Sequence, residues 1–343
     1  MVNGVARAMR MGWILVLIAA MTTACASGHS NAGVAKASTS GTRGEPVSVS
    51  GALPSGLWVS DIHTNSVTLF PSPPQSSGTV TLTNGLNHPD ALAFNGPHEL
   101  WVGNGSTTHP SIAEYIVQPD GKPSLIHDFP LSGFPPEGLT FDRHGNLWLA
   151  GAGGVIELAG PSLASGPRAI TTITAPALLD GPDAVAFDTR GDLWVANYNN
   201  RVLLEFPARS LTSHSPQPSF HIQLPSGANP FALTFDAQGD LWVAAQNDMV
   251  YEFAAGTLGT TSSPSRSISL GQVISGGVVG VAFDGHGNLW VSGVGSSAAG
   301  APEGFVYEYA AQSLGTTNIP TARMVASPSS NPGTWAIAFT PSS

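Results

Sequence analysis

Three carboxylates recur at one register position of a repeated hexapeptide. They are Asp90 in Pro89-Asp-Ala-Leu-Ala-Phe94, Glu137 in Pro136-Glu-Gly-Leu-Thr-Phe141 and Asp183 in Pro182-Asp-Ala-Val-Ala-Phe187. Three further copies place Phe231, Val279 and Trp335 at that position, in Pro230-Phe-Ala-Leu-Thr-Phe235, Val278-Val-Gly-Val-Ala-Phe283 and Thr334-Trp-Ala-Ile-Ala-Phe339. Carboxylates brought together repel unless they hold a cation, share protons or face open water. A hard divalent ion such as Ca²⁺ suits carboxylate and amide oxygens, so an opening on which Asp90, Glu137 and Asp183 converge is a candidate cation or small-ligand site. The plainer alternative is a solvated rim, because Pro-Asp and Pro-Glu make good turn starts.

The elements that position these residues follow from the repeat. The first five copies are each followed by a tight turn and then Leu-Trp, with tryptophans at 101, 148, 194, 242 and 290. Alternating apolar and small residues, a Gly-containing turn and a second alternating run read as a β-hairpin. Downstream runs such as Arg201-Val-Leu-Leu-Glu-Phe206 and Ser219-Phe-His-Ile-Gln-Leu224 add two strands, giving a four-stranded propeller blade. The last copy has no Leu-Trp strand after it, and Gly56-Leu-Trp-Val-Ser-Asp61 has no hexapeptide before it. Pairing residues 335–340 with residues 57–83 completes a sixth blade, predicting an all-β, six-bladed propeller over residues 51–343 whose last blade is clasped by N- and C-terminal strands.

In such a disc the inner strand of each blade starts, and the second strand ends, at one mouth of the central channel. The entry positions are Asp90, Glu137, Asp183, Phe231, Val279 and Trp335. The exit positions, three residues after the repeat tryptophan, are Asp61, Asn104, Gly151, Asn197, Ala245 and Gly293. The mouth is therefore expected to be two-sided. Asp61, Asp90, Asn104, Glu137, Asp183 and Asn197 occupy one half, and Phe231 stands opposite with Trp335 at the border.

The repeat tryptophans, Trp58 included, invite a sugar-stacking role, but their fixed place after Leu favours blade-to-blade packing. The turn acids Asp142, Asp188, Asp236 and Asp284 favour backbone capping over Ca²⁺ binding. His144 and His286 fall in solvated turns. The sequence contains no Gly-x-Ser-x-Gly elbow, phosphate-cradling glycine loop or His-x-x-x-His pair.

Composition bounds the surroundings. The 343 residues are 10% charged, with 40 Gly, 28 Pro and a net charge of −10, so neither nucleic acid nor an anionic lipid surface is an expected partner. Arg7 and Arg10, the apolar run from Trp13 to Met21 and small residues up to Cys25 follow the order of an export signal over residues 1–24. Two cleavage readings are open. Thr22-Thr23-Ala24-Cys25 resembles a bacterial lipobox, which would put diacylglycerol on Cys25 and anchor the protein outside the membrane; Ala24-Cys25-Ala26 also fits ordinary signal peptidase, which would release a soluble secreted protein. Cys25 is the only cysteine, so no internal disulfide is available. Residues 25–50 read as a Ser/Gly/Thr-rich tether.

Over residues 56–343 the repeats resemble NHL-type propeller repeats and the related SMP-30/gluconolactonase and streptogramin lyase superfamily. The resemblance implies that Asp183, within Pro182-Asp-Ala-Val-Ala-Phe-Asp-Thr-Arg-Gly-Asp-Leu-Trp-Val-Ala196, and Glu137, within Glu137-Gly138, are metal ligands. The chain departs from the lactonase pattern because no entry position is Asn and because Glu137 and Asp183 fall on neighbouring blades. It departs from the lyase pattern because no entry position is His, with His88 lying two residues early. The expected function is a monomeric scaffold at the cell envelope that binds a small molecule or a protein. The alternative is a divalent-metal-dependent lactonase or esterase in which Glu137, Asp183 and Asp90 hold the ion.

Overall fold

The computed structural model describes residues 56–341 apart from residues 72, 74–77, 79, 152, 164, 175–177, 214, 261–262, 271–276, 297–299, 315–319 and 328–331, and the side chains of residues 161, 162 and 296. The expected export signal, Cys25 and the tether lie outside the described residues.

Each hexapeptide forms an innermost strand, and each Leu-Trp run pairs with it antiparallel. Blade 1 comprises β4 (Pro89–Asn95), β5 (Glu99–Asn104), β6 (Ser111–Val117) and β7 (Pro123–Pro130). Blade 2 comprises β8 (Pro136–Phe141), β9 (Leu147–Gly151), β10 (Gly154–Leu158) and β11 (Ala169–Ile173). Blade 3 runs from β12 (Pro182–Phe187) through β13 (Leu193–Asn197) and β14 (Val202–Phe206) to β15 (Phe220–Gln223). Blade 4 follows with β16 (Pro230–Phe235), β17 (Leu241–Ala245), β18 (Met249–Phe253) and β19 (Arg266–Ser269), and blade 5 with β20 (Val278–Phe283), β21 (Leu289–Ser296), β22 (Pro302–Tyr309) and β23 (Ala322–Ser327).

Blade 6 is the expected clasp. β24 (Thr334–Phe339) pairs with β1 (Leu57–Asp61), which continues to β2 (Ser66–Phe70) and β3 (Val80–Leu82). Innermost strands contact one another all the way round, with β24 meeting both β20 and β4. The chain is a six-bladed propeller of four-stranded antiparallel blades, as the repeat count predicts.

The tryptophans hold the blades together. Each repeat Trp is almost wholly buried and meets the hexapeptide Phe of the following blade edge-on. The pairs are Trp58 with Phe94, Trp101 with Phe141, Trp148 with Phe187, Trp194 with Phe235, Trp242 with Phe283 and Trp290 with Phe339, at ring separations of 5.6–6.4 Å. Such pairs contribute about 1 kcal/mol each beyond burial, so the six form a closed belt of aromatic contacts.

On the face opposite the channel mouth, the hairpin turns carry a second repeated device that the sequence reading missed. Cross-strand from five of the tryptophans stands a glutamate: Glu114, Glu157, Glu205, Glu252 or Glu308. In blades 2 and 5 an Asn amide bridges the turn Asp and this Glu. Asn146 Nδ2 donates to Asp142 Oδ2 (3.0 Å) and Glu157 Oε1 (2.9 Å), and Asn288 Nδ2 donates to Asp284 Oδ2 and Glu308 Oε1 (both 3.0 Å). Where the bridging residue is Asp, an arginine joins the cluster. Arg190 reaches Asp188 (2.9 Å), Asp192 (3.0 Å) and Glu205 (3.0 Å), and Arg266 pairs with Glu252 at 2.7 Å beside Asp240. Asp188, Asp192 and Glu205 form the one carboxylate set among the described residues with metal-ligand spacing, and the Arg190 guanidinium already supplies its positive charge.

Candidate functional site

Every innermost strand breaks its ladder at the entry residue. In blade 1, Pro89 pairs with Asn104 and Ala91 with Gly103, which leaves Asp90 as the surplus residue of a β-bulge. The same shift occurs at Glu137, Asp183, Phe231 and Val279. In blade 6 the surplus falls across Trp335 and Ala336, where Ser60 Oγ accepts the Ala336 N–H at 2.9 Å. A bulge re-aims a side chain without ending the sheet, and here the six entry residues line one central channel.

The channel is two-sided as expected at the entry positions. Asp90, Glu137 and Asp183 form one arc, and Phe231, Val279 and Trp335 form the other. Phe231 and Trp335 meet edge-on at 5.4 Å, and Tyr198 packs on Phe231 at 5.0 Å while its hydroxyl donates to Gln246 Oε1 at 3.0 Å. Among the described residues that line the channel none is Lys or Arg, and the carboxylate arc contributes a field that attracts cations. Its volume is about 100 Å³, well below the roughly 300–1,000 Å³ of pockets that engulf a whole small-molecule ligand.

The exit positions are placed differently from the sequence expectation. Asp61, Asn104 and Asn197 are buried but absent from the channel wall, and their polar atoms tie loops down. Asp61 Oδ1 accepts the backbone N–H groups of His63 and Thr64 at 2.9 Å, and Oδ2 accepts the Ser327 hydroxyl. Asn104 accepts from the Asn87 N–H (3.0 Å) and donates to Gly85 O (2.8 Å) and Ser111 Oγ (2.9 Å). Asn197 accepts from Asp180 N (3.3 Å) and donates to Leu178 O (3.0 Å). The physical reason is register. Each exit residue sits opposite the residue before the bulge, so the bulge turns the entry side chain inward and leaves the exit side chain facing the loops.

Asp90 has the most built surroundings. Only 4% exposed, it places Oδ2 2.9 Å from His88 Nδ1, while Oδ1 is buried without a hydrogen-bond partner. His88 reaches it because its backbone is left-handed, with φ 61°. That strained turn is held by Asn65 Oδ1, which accepts the His88 N–H at 2.6 Å, and by His88 O, which accepts the Gly105 N–H at 2.8 Å. A Cβ at Gly105 would collide with the Asp90 carboxylate, so glycine there leaves room for the acid. The sequence places His88 two residues early; the left-handed turn folds its ring back onto Asp90.

Glu137 and Asp183, which the resemblance assigns to a metal, and Asp90, which the hydrolase alternative adds, share the channel; among the described residues the His, Cys, Asp or Glu set with mutual metal-ligand spacing is Asp188, Asp192 and Glu205.

No family model matches the chain, and no curated protein matches it. Among solved structures it is similar to a Bacteroides caccae protein of unknown function (TM-score 0.60, 12% identity, covering 84% of this chain and 99% of that one). It is also similar to a candidate 6-phosphogluconolactonase from Bacteroides uniformis (TM-score 0.55, 12% identity, 83% and 99%) and to a Lactobacillus plantarum protein (TM-score 0.52, 12% identity, 84% and 100%). The neighbours are six-bladed propellers, and at this identity the likeness is one of fold.

Proposed function

We propose that this chain is an exported, lipid-anchored binding scaffold of the cell envelope, which engages a small ligand or a protein partner at the carboxylate-bearing mouth of its channel. The observation that carries this reading is the shape and chemistry of the mouth. An acidic arc faces an aromatic arc across about 100 Å³, enough for the tip of a ligand and too little for an enclosed substrate. The anchor rests on the order of basic residues, apolar run and Cys25 in the sequence.

A photo-crosslinking amino acid at position 335 in cells tests the mouth. Adducts that disappear with Asp90→Asn or Asp183→Asn support the reading, and adducts indifferent to both variants overturn it. Cys25→Ser tests the anchor by moving the protein from the membrane to the soluble fraction. Lactone hydrolysis that requires an added divalent ion and is lost in Asp183→Ala would replace the scaffold with the hydrolase.

A further inference from the structure

We infer that the channel mouth recognises a primary alkylammonium group, the chemistry shared by a lysine side chain and a free aliphatic diamine. The inference rests on the mouth being the binding site and names the class of ligand it takes.

Asp90 supplies the first requirement. Its carboxylate is 2% exposed at the side chain, and Oδ1 is a buried acceptor with no partner. A buried acceptor left unsatisfied is costly, and the group that answers it must bring a donor. Because the unanswered acceptor belongs to a carboxylate and Glu137 and Asp183 lie on the same arc, a positively charged donor is favoured over a neutral one.

The opposite arc supplies the second requirement. Phe231 and Trp335 meet at 5.4 Å, with Tyr198 packed at a tilt on Phe231. A hydrated metal ion gains nothing from such a wall, whereas an alkylammonium uses it twice, through cation–π attraction and through burial of its methylene stem. The volume of about 100 Å³ admits a few heavy atoms. A slender ammonium on an unbranched stem can enter end-on, with its N–H groups on the acidic arc and its carbons on the aromatic arc.

The test is titration of the full-length protein with cadaverine, with the tripeptide acetyl-Gly-Lys-Gly, with its acetyl-lysine counterpart, with tetramethylammonium and with Ca²⁺. Binding is read as the difference in tryptophan fluorescence between the parent and Trp335→Phe, and by calorimetry. Saturable binding of cadaverine or of the lysine peptide, weakened about tenfold or more when Asp90→Asn removes the charged acceptor, is the expected result. Binding of the peptide alone assigns the ligand to a protein lysine, and binding of both assigns it to the amine itself. The acetyl-lysine peptide should not bind.

Tetramethylammonium binding as well as cadaverine would overturn the inference, since it offers no N–H. So would the absence of any amine response in a protein whose unfolding midpoint shows it to be folded. Crosslinks at position 335 that persist without amine binding would retain the mouth as a site while removing this ligand class. Loss of both would remove the site itself.

Discussion

His88 Nδ1 lies 2.9 Å from the buried Oδ2 of Asp90, although the two residues belong to a turn and to a bulge that no regular strand would bring together. The pairing depends on Gly105, whose missing side chain leaves the space that the Asp90 carboxylate occupies.

Gly105→Ala is therefore expected to destabilise the protein by about 1–3 kcal/mol, the usual cost of overpacking. Most of that loss should be recovered in the Gly105→Ala/Asp90→Ala double variant, because the collision is with the carboxylate. Urea unfolding midpoints of the four proteins in the cycle measure the coupling.

Arg190→Ala should leave Asp188, Asp192 and Glu205 facing one another without a cation. With the guanidinium half-exposed, a loss of about 1–2 kcal/mol at neutral pH is expected. Adding Asp192→Asn to this variant recreates the bridge that Asn146 and Asn288 make in blades 2 and 5 and should restore stability. Thermal unfolding of the single and double variants distinguishes a charge effect from lost packing, which Asp192→Asn could not repair.

Asp284 accepts from the backbone N–H groups of His286 (2.8 Å) and Asn288 (2.9 Å) and from the Trp290 indole (3.0 Å). Burial alone would raise its pKa, but the hydrogen bonds from Trp290, Asn288 and His286 outweigh it and hold the carboxyl below its ordinary value. Asp284→Asn replaces one acceptor by a donor aimed at two other donors, so a loss of about 1–3 kcal/mol is expected. The loss should shrink as the pH falls below the ordinary Asp value of 3.8, because the parent then forfeits its own stabilisation there.

Burial pushes the carboxyls of Glu157, Glu205, Glu252 and Glu308 above their ordinary value of 4.5. A raised carboxylate pKa means that the folded state binds protons more readily than the unfolded chain, so stability should fall as pH rises through the raised values. It should increase as pH falls from neutrality toward 4.5. Unfolding midpoints are thus expected to be higher at about pH 4.5, the ordinary value, than at about pH 7.5. A midpoint that rises steadily to pH 7.5 would show that these four sites do not govern the profile.

The ring was legible in the sequence because its contacts repeat. Leu-Trp and the hexapeptide Phe carry the period in residue type, and the clasp of residues 335–340 with residues 57–83 follows from matching two incomplete copies. The entry positions came from the same register. What the sequence concealed was backbone geometry. The bulge leaves no residue-type signature that separates inward from outward aim, so Asp61, Asn104 and Asn197 read as mouth residues when they secure loops. His88 lies two residues before the entry position in the sequence, and only its left-handed φ returns it to Asp90. The recurring Glu on the third strand was visible, as in Leu204-Glu205-Phe206 and Tyr251-Glu252-Phe253, but its meaning depends on the turn residue it meets across the sheet.

The six bulges carry an evolutionary consequence. A residue that is surplus to its ladder can change identity without disturbing the strand pairs on either side, and this one chain already holds Asp, Glu, Phe, Val and Trp at the equivalent place. The disc therefore works as a fixed frame with six interchangeable inserts. Lineages built on it can diverge in what they recognise while the belt of tryptophan and phenylalanine that closes them stays the same.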